Sequence, residues 1–88
     1  MSQVSESNKL KVIARSPFQL YYEGEALVVT ATNKVGKFDI LPGHANFFSI
    51  INPDSEVIIG TDKEDTHIKA GNGIITVKDD EVLLFLDI

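Results

Sequence analysis

Apolar residues in this chain come in short bursts of four to seven positions, separated by polar turn residues. Leu10 to Ala14 is an apolar-rich segment that reads as a strand at or near a sheet edge, and Ser16-Pro17 interrupts it. Phe18, Leu20 and Tyr22 alternate with Gln19 and Tyr21, the period of a strand with one face buried. Glu23-Gly24 is expected to close that segment with a bend, and the β-branched run Ala26 to Thr32 suits a central strand. After a turn over 32–36, Phe38 and Ile40 flank Asp39 and lead into the corner Leu41-Pro42-Gly43-His44. Phe47 to Ile51 is a compact apolar piece, and Asn52-Pro53-Asp54-Ser55 is a turn. Val57 to Ile59 and His67 to Ala70 form one pair of strands across an acidic hairpin, and Ile74 to Val77 and Val82 to Leu86 form another across Lys78-Asp79-Asp80-Glu81.

No window of a dozen residues keeps a 3.6-residue apolar stripe. Short strands separated by turns are the signature of an all-β sandwich or barrel. Two packed sheets bury this many short apolar faces best, so an all-β sandwich is the expected fold. Gly24, Gly36, Pro53 and Gly73 are expected to be structural, at turns or at tight approaches between strands. Met1 to Asn8 is polar and reads as a flexible tail, which leaves 9–88 as one domain.

Composition narrows the function. The chain has 88 residues and no cysteine, which excludes disulfides and thiolate metal sites. Thirteen acidic and eight basic side chains give a formal charge of −5, and the basic residues are scattered. A continuous phosphate-neutralising surface for nucleic acid is therefore not expected. The longest apolar run, Val82 to Leu86, is far too short to span a bilayer.

Candidate chemistry is sparse. Neither His44 nor His67 has a second ligand at useful spacing for a metal. The acidic clusters at 62–65 and 79–81 do not follow the calcium-loop pattern. Gly71-Asn72-Gly73 lacks the length and lysine of a phosphate-binding loop. No nucleophile-base set is readable, so neither catalytic residues nor a cofactor are expected. What remains is the shaped corner, where Pro42 restricts the backbone and Gly43 permits unusual dihedrals. His44 there either bonds to its own loop or contacts a partner. Phe47 and Phe48 are adjacent, so on a strand one points outward as a contact residue; on a coil both could be buried. Tyr21 and Tyr22 pose the same choice.

The corner resembles the N-terminal β-sandwich domain of the epsilon subunit of F-type ATP synthases, called delta in mitochondria. The resemblance is carried by Gly36, Phe38, Leu41-Pro42-Gly43-His44-Ala45 and Phe47 to Ile51. It extends back through Tyr22-Glu23-Gly24-Glu25 and forward through Pro53, Gly73 and Val77, covering roughly residues 9 to 87. It implies a flattened sandwich of about ten strands in a rotor subunit of the central stalk. Such a subunit joins gamma to the polar loops of the membrane c-ring, couples proton-driven rotation to ATP synthesis, and performs no bond chemistry. By the same resemblance, Lys37, Leu41, Pro42, Gly43 and His44 are the interface candidates, with Lys37 and His44 facing the ring. The implied location is peripheral, on the cytoplasmic side of a bacterial inner or plasma membrane, with an organelle origin left open. A β-sandwich binding module of another assembly is the alternative.

The chain departs from the family pattern at several places, including Thr30-Ala31-Thr32-Asn33, which lacks the proline-rich turn often seen before the motif. Lys37 stands where members often carry a carboxylate. Asn46 stands where a proline often follows the alanine, and should leave the corner less constrained. Asp54 replaces a common glycine. Only Asp87 and Ile88 follow the last strand, so the two C-terminal helices of many members, and any nucleotide site they form, are not expected in this chain.

Overall fold

A computed structural model describes residues 9–88; the polar tail expected at 1–8 lies outside the described residues. Nine strands follow one another: β1 Leu10–Arg15, β2 Leu20–Ala26, β3 Val28–Thr32, β4 Lys37–Ile40, β5 Phe47–Ile51, β6 Ser55–Gly60, β7 Asp65–Ala70, β8 Gly73–Lys78 and β9 Glu81–Leu86. They form two facing sheets, one ordered β2-β1-β9-β8-β5 and the other β4-β3-β6-β7. The all-β sandwich expected from periodicity is therefore observed, with nine strands in place of about ten. All neighbouring pairs are antiparallel except β1 and β9, which run parallel and place the first strand beside the last.

The core lies between the sheets. From the larger sheet come Val12, Ala14, Ile51, Ile75, Val82 and Leu84; from the smaller come Val29, Ile40, Val57, Ile59 and Ile68. The period-two alternation of each strand supplies them. In β1 and β9 it is nearly perfect, with buried and solvent-facing positions taking turns. Gly73 permits a close approach, since a Cβ there would lie 2.9 Å from both the Leu86 side chain and the Phe85 carbonyl oxygen.

Three local expectations change. Glu23-Gly24 does not end a strand: Gly24 pairs with Val12, and β2 continues to Ala26. The chain bends instead at Leu27, where it leaves one sheet for the other, so the run Ala26 to Thr32 is divided between two strands. Phe18, Leu20 and Tyr22 also fail to share a buried face. Phe18 is 96% exposed, in a turn where buried Ser16 accepts hydrogen bonds through Oγ from the N–H groups of Phe18 and Gln19. A bulge then shifts the register, so that Leu20 pairs with solvent-facing Arg15 and Tyr22 with buried Ala14. One inserted residue reverses the phase of alternation.

Candidate docking surfaces

The corner is the connection between β4 and β5, and so carries the chain from the smaller sheet to the larger. Pro42 and Gly43 occupy the centre of a β-turn closed by the His44 N–H donating to the Leu41 carbonyl at 3.0 Å. Gly43 has φ +86°, the left-handed value that the third position of a type II turn requires. His44 Nδ1 lies 2.7 Å from the Ala45 carbonyl oxygen, which can only accept, so that nitrogen carries the hydrogen. The imidazole stacks edge-on against Phe47 with centroids 5.6 Å apart, and Phe47 meets Phe38 edge-on at 5.4 Å. His44 is thus bonded to its own loop, and the corner rests on an aromatic pair contributed by both sheets.

Two polar side chains tie the corner to the β8–β9 hairpin. The Gly43 N–H donates to Asp80 Oδ1 at 2.8 Å, and the Asp79 N–H donates to Asn46 Oδ1 at 3.2 Å. Sequence reasoning missed both contacts, and the second gives Asn46 a bond that bears on the loosening expected from the absence of proline. Its amide oxygen supplies an acceptor that a proline could not. Asp54, at φ +62°, holds the left-handed conformation in which glycine is at ease and which aspartate tolerates.

Leu41, Pro42, Gly43 and His44 are brought together, and Leu41 is 53% exposed. Lys37 is not with them. It opens β4 beside the β3–β4 turn, about 10 Å along the strand from Ile40 at the rise of an extended chain. That turn is held by Asn33, whose Oδ1 accepts from the N–H groups of Val35 and Gly36, and it presents exposed Lys34 and Val35 beside Lys37. The stretch from Gly36 to His44 is therefore a strand with a projecting feature at each end.

The outer faces of the two sheets differ in kind. On the smaller sheet, Thr30 donates to Asp39 at 2.7 Å, His67 Nδ1 lies 3.0 Å from Glu56, and Lys37 and Lys69 are exposed. Ile58 is the main apolar side chain among them. On the larger sheet, cross-strand register assembles Ile13, Leu83, Thr76 and Phe48 into one row and Phe85, Ile74 and Ile50 into the next. Ile13 is 38% exposed, Phe48 62% and Ile50 67%. Of the adjacent phenylalanines, Phe47 packs inward and Phe48 points out, as a strand requires. Both tyrosines pack partly against the core. A shallow groove of about 410 Å³ runs over β2, β1 and β9 at one end of the first row, lined by Ile13 and Leu83 and flanked by Lys11, Glu23, Glu25 and Glu81. Among the described residues, no group of three or more acidic or histidine side chains is placed to hold a metal. No helix among them is long and apolar enough to cross a membrane.

Residues 9–87 match the family described as ATP synthase, Delta/Epsilon chain, beta-sandwich domain. The ATP synthase epsilon chain of Clostridium novyi (strain NT) is 27% identical over 84 residues, covering 96% of this chain and 63% of that one. The epsilon chain of Vesicomyosocius okutanii is 41% identical over 66 residues, covering 75% and 47%. The chain thus spans from about half to somewhat under two thirds of these relatives' length. A chain in the Euglena gracilis mitochondrial ATP synthase, solved as OSCP/F1/c-ring, superposes with a TM-score of 0.82 at 12% identity, over 90% of this chain and 51% of that one. Another, from the central stalk and c-ring of the Tetrahymena thermophila enzyme, gives 0.74 at 15% identity, over 89% and 63%. At those identities the likeness is one of fold. With nearly all the described residues inside the matched region, the chain belongs to the ATP synthase delta/epsilon-chain β-sandwich family.

Proposed function

We propose that this chain is a non-catalytic component of the central stalk of a rotary F-type ATP synthase, joining gamma to the c-ring so that ring rotation reaches the catalytic head. The β-sandwich needs no cofactor for this, and its scattered basic residues do not suit nucleic acid. It works as a peripheral part of the complex, on the cytoplasmic side of a bacterial inner or plasma membrane. The observation that carries the reading is the unequal pair of outer faces. A monomer gains nothing from exposing Phe48, Ile50 and Ile13 on one sheet, and such a contiguous apolar patch marks a protein interface.

Gamma covers the apolar face of the β2-β1-β9-β8-β5 sheet. The corner Leu41, Pro42, Gly43 and His44 is assigned to the rim of that face where β5 begins, in place of the ring-facing role expected for His44, because Phe47 and the β8–β9 hairpin hold it there. The ring's polar loops meet the β3–β4 turn with Lys37, a smaller and wetter contact dominated by charge. Phe48→Asp should abolish capture of gamma, whereas Ile58→Asp on the opposite face should leave it intact. Lys37→Glu should leave gamma binding unchanged and alter the salt dependence of ring association. Equal gamma binding by the parent and Phe48→Asp proteins would reject the proposed face.

A further inference from the structure

We infer that Asp80 and Asn46 are positioning residues: a reciprocal clasp through which the β8–β9 hairpin sets the corner at the rim of the gamma-docking face. The inference rests on the docking reading above and adds the means by which the rim is held. Each segment gives a backbone N–H to a side chain of the other, Gly43 to Asp80 and Asp79 to Asn46. These contacts join residues 37 and 33 positions apart. They are the specific polar link between the corner and the sheet that carries the apolar face.

Three observations separate this clasp from incidental surface hydrogen bonding. Asp79 and Asp80 both have positive φ, +51° and +64°, the backbone of a type I′ hairpin. Aspartate is among the few residue types that tolerate such positions, so position 80 holds the left-handed backbone and a carboxylate acceptor together. Asp80 is only partly exposed despite lying at a hairpin tip. Finally, the Gly43 N–H points out of a type II turn whose own hydrogen bond uses His44, so Asp80 gives that donor a partner. The turn shape comes from Pro42 and Gly43; its orientation against the sheet comes from the clasp.

The two halves of the role at position 80 can be separated by substitution. Asp80→Gly keeps the left-handed backbone and removes the acceptor, while Asp80→Asn keeps both. In the full chain, amide exchange at Gly43 should quicken by about tenfold in Asp80→Gly, the effect of losing one hydrogen bond to a charged group. Exchange at Ile75, in the core, should stay at the parent rate and verify the fold. Gamma binding should weaken by about threefold or more through lost pre-organisation. Asp80→Asn, which keeps an acceptor without the charge, should hold both values closer to the parent's than Asp80→Gly does. Asn46→Ala, which alters no left-handed position, should quicken exchange at Asp79 and weaken gamma binding similarly.

Unchanged Gly43 exchange in Asp80→Gly would overturn the clasp. Faster exchange with unchanged gamma affinity would overturn its positioning role. Failure of the docking reading is seen separately, as parent-like gamma binding by Phe48→Asp.

Discussion

At Gly43 the backbone, rather than the space around it, decides which residues the chain accepts. An added Cβ would meet nothing within 4 Å, yet φ is +86°, where a β-branched side chain is strained. Gly43→Val should therefore cost about 1–3 kcal/mol. Equilibrium denaturant unfolding measures it, and an unchanged midpoint would remove the strain from the account. The Asp87 carboxylate shows a different residue-scale effect. It accepts from the Tyr21 hydroxyl at 2.6 Å and from the Gly71 N–H at 2.8 Å. The Tyr21 bond first, and then the Gly71 bond, lower the Asp87 pKa below its ordinary value, against a smaller desolvation effect. The same bond to Asp87 raises Tyr21 above its ordinary phenol value. For Asp87, folding favours the ionised form, so its contribution is full above the unfolded value and fades as pH falls through the lowered folded value. For Tyr21, folding favours the protonated form, so its contribution is full below the unfolded value and is lost as pH rises through the raised one. Tyr21→Phe should therefore weaken the loss of stability with acid below the usual carboxylate range. Acid unfolding curves that coincide with the parent's would dismiss a stabilising role for the Tyr21–Asp87 bond.

At the scale of the element, β5 reads two environments from one strand. Ile50 is 67% exposed and Ile51 is fully buried, although they are neighbours of identical chemistry. Ile51→Ala should cost about 2–5 kcal/mol, from lost burial plus the cavity left behind. Ile50→Ala should stay within about 0.5 kcal/mol in the chain alone. Thermal unfolding of the two variants compares them directly, and similar losses would mean that the faces are wrongly assigned. This alternation was legible in the sequence because Phe47 and Phe48 cannot share a face of any regular strand. The bulge in β2 was not legible: Leu20 and Tyr22 keep an ordinary i, i+2 spacing, and only pairing with β1 reveals the shift. The corner's shape was written in Pro42 and Gly43, whereas its anchorage was not. Asn46 and Asp80 read as polar loop residues until the fold brings their loops together. The family resemblance groups Lys37 with the corner. Phe38 and Ile40 make the intervening segment a strand, and a strand separates its ends.

For the whole molecule, the decisive property is that its two layers share one core but present unlike surfaces. The smaller sheet finishes its outer face with Thr30–Asp39 and Glu56–His67 contacts, which water tolerates well. The larger sheet leaves Ile13, Phe48 and Ile50 exposed beside the half-buried side chains of Ile74, Leu83 and Phe85. The net charge of −5 opposes close approach of two copies, but screening weakens that repulsion between exposed charges as salt rises. Burial of apolar area is not screened in the same way. The isolated chain should therefore self-associate with increasing concentration, and more so at higher ionic strength. Added gamma should return it to a one-to-one complex by occupying the same face. Sedimentation velocity over a concentration and salt series tests this. Ile50→Asp should keep the chain monomeric throughout, and Ile58→Asp, on the other sheet, should not. If both substitutions act equally, or if salt disperses the oligomer, charge rather than the apolar face drives association. The division of labour between the two sheets would then be wrong.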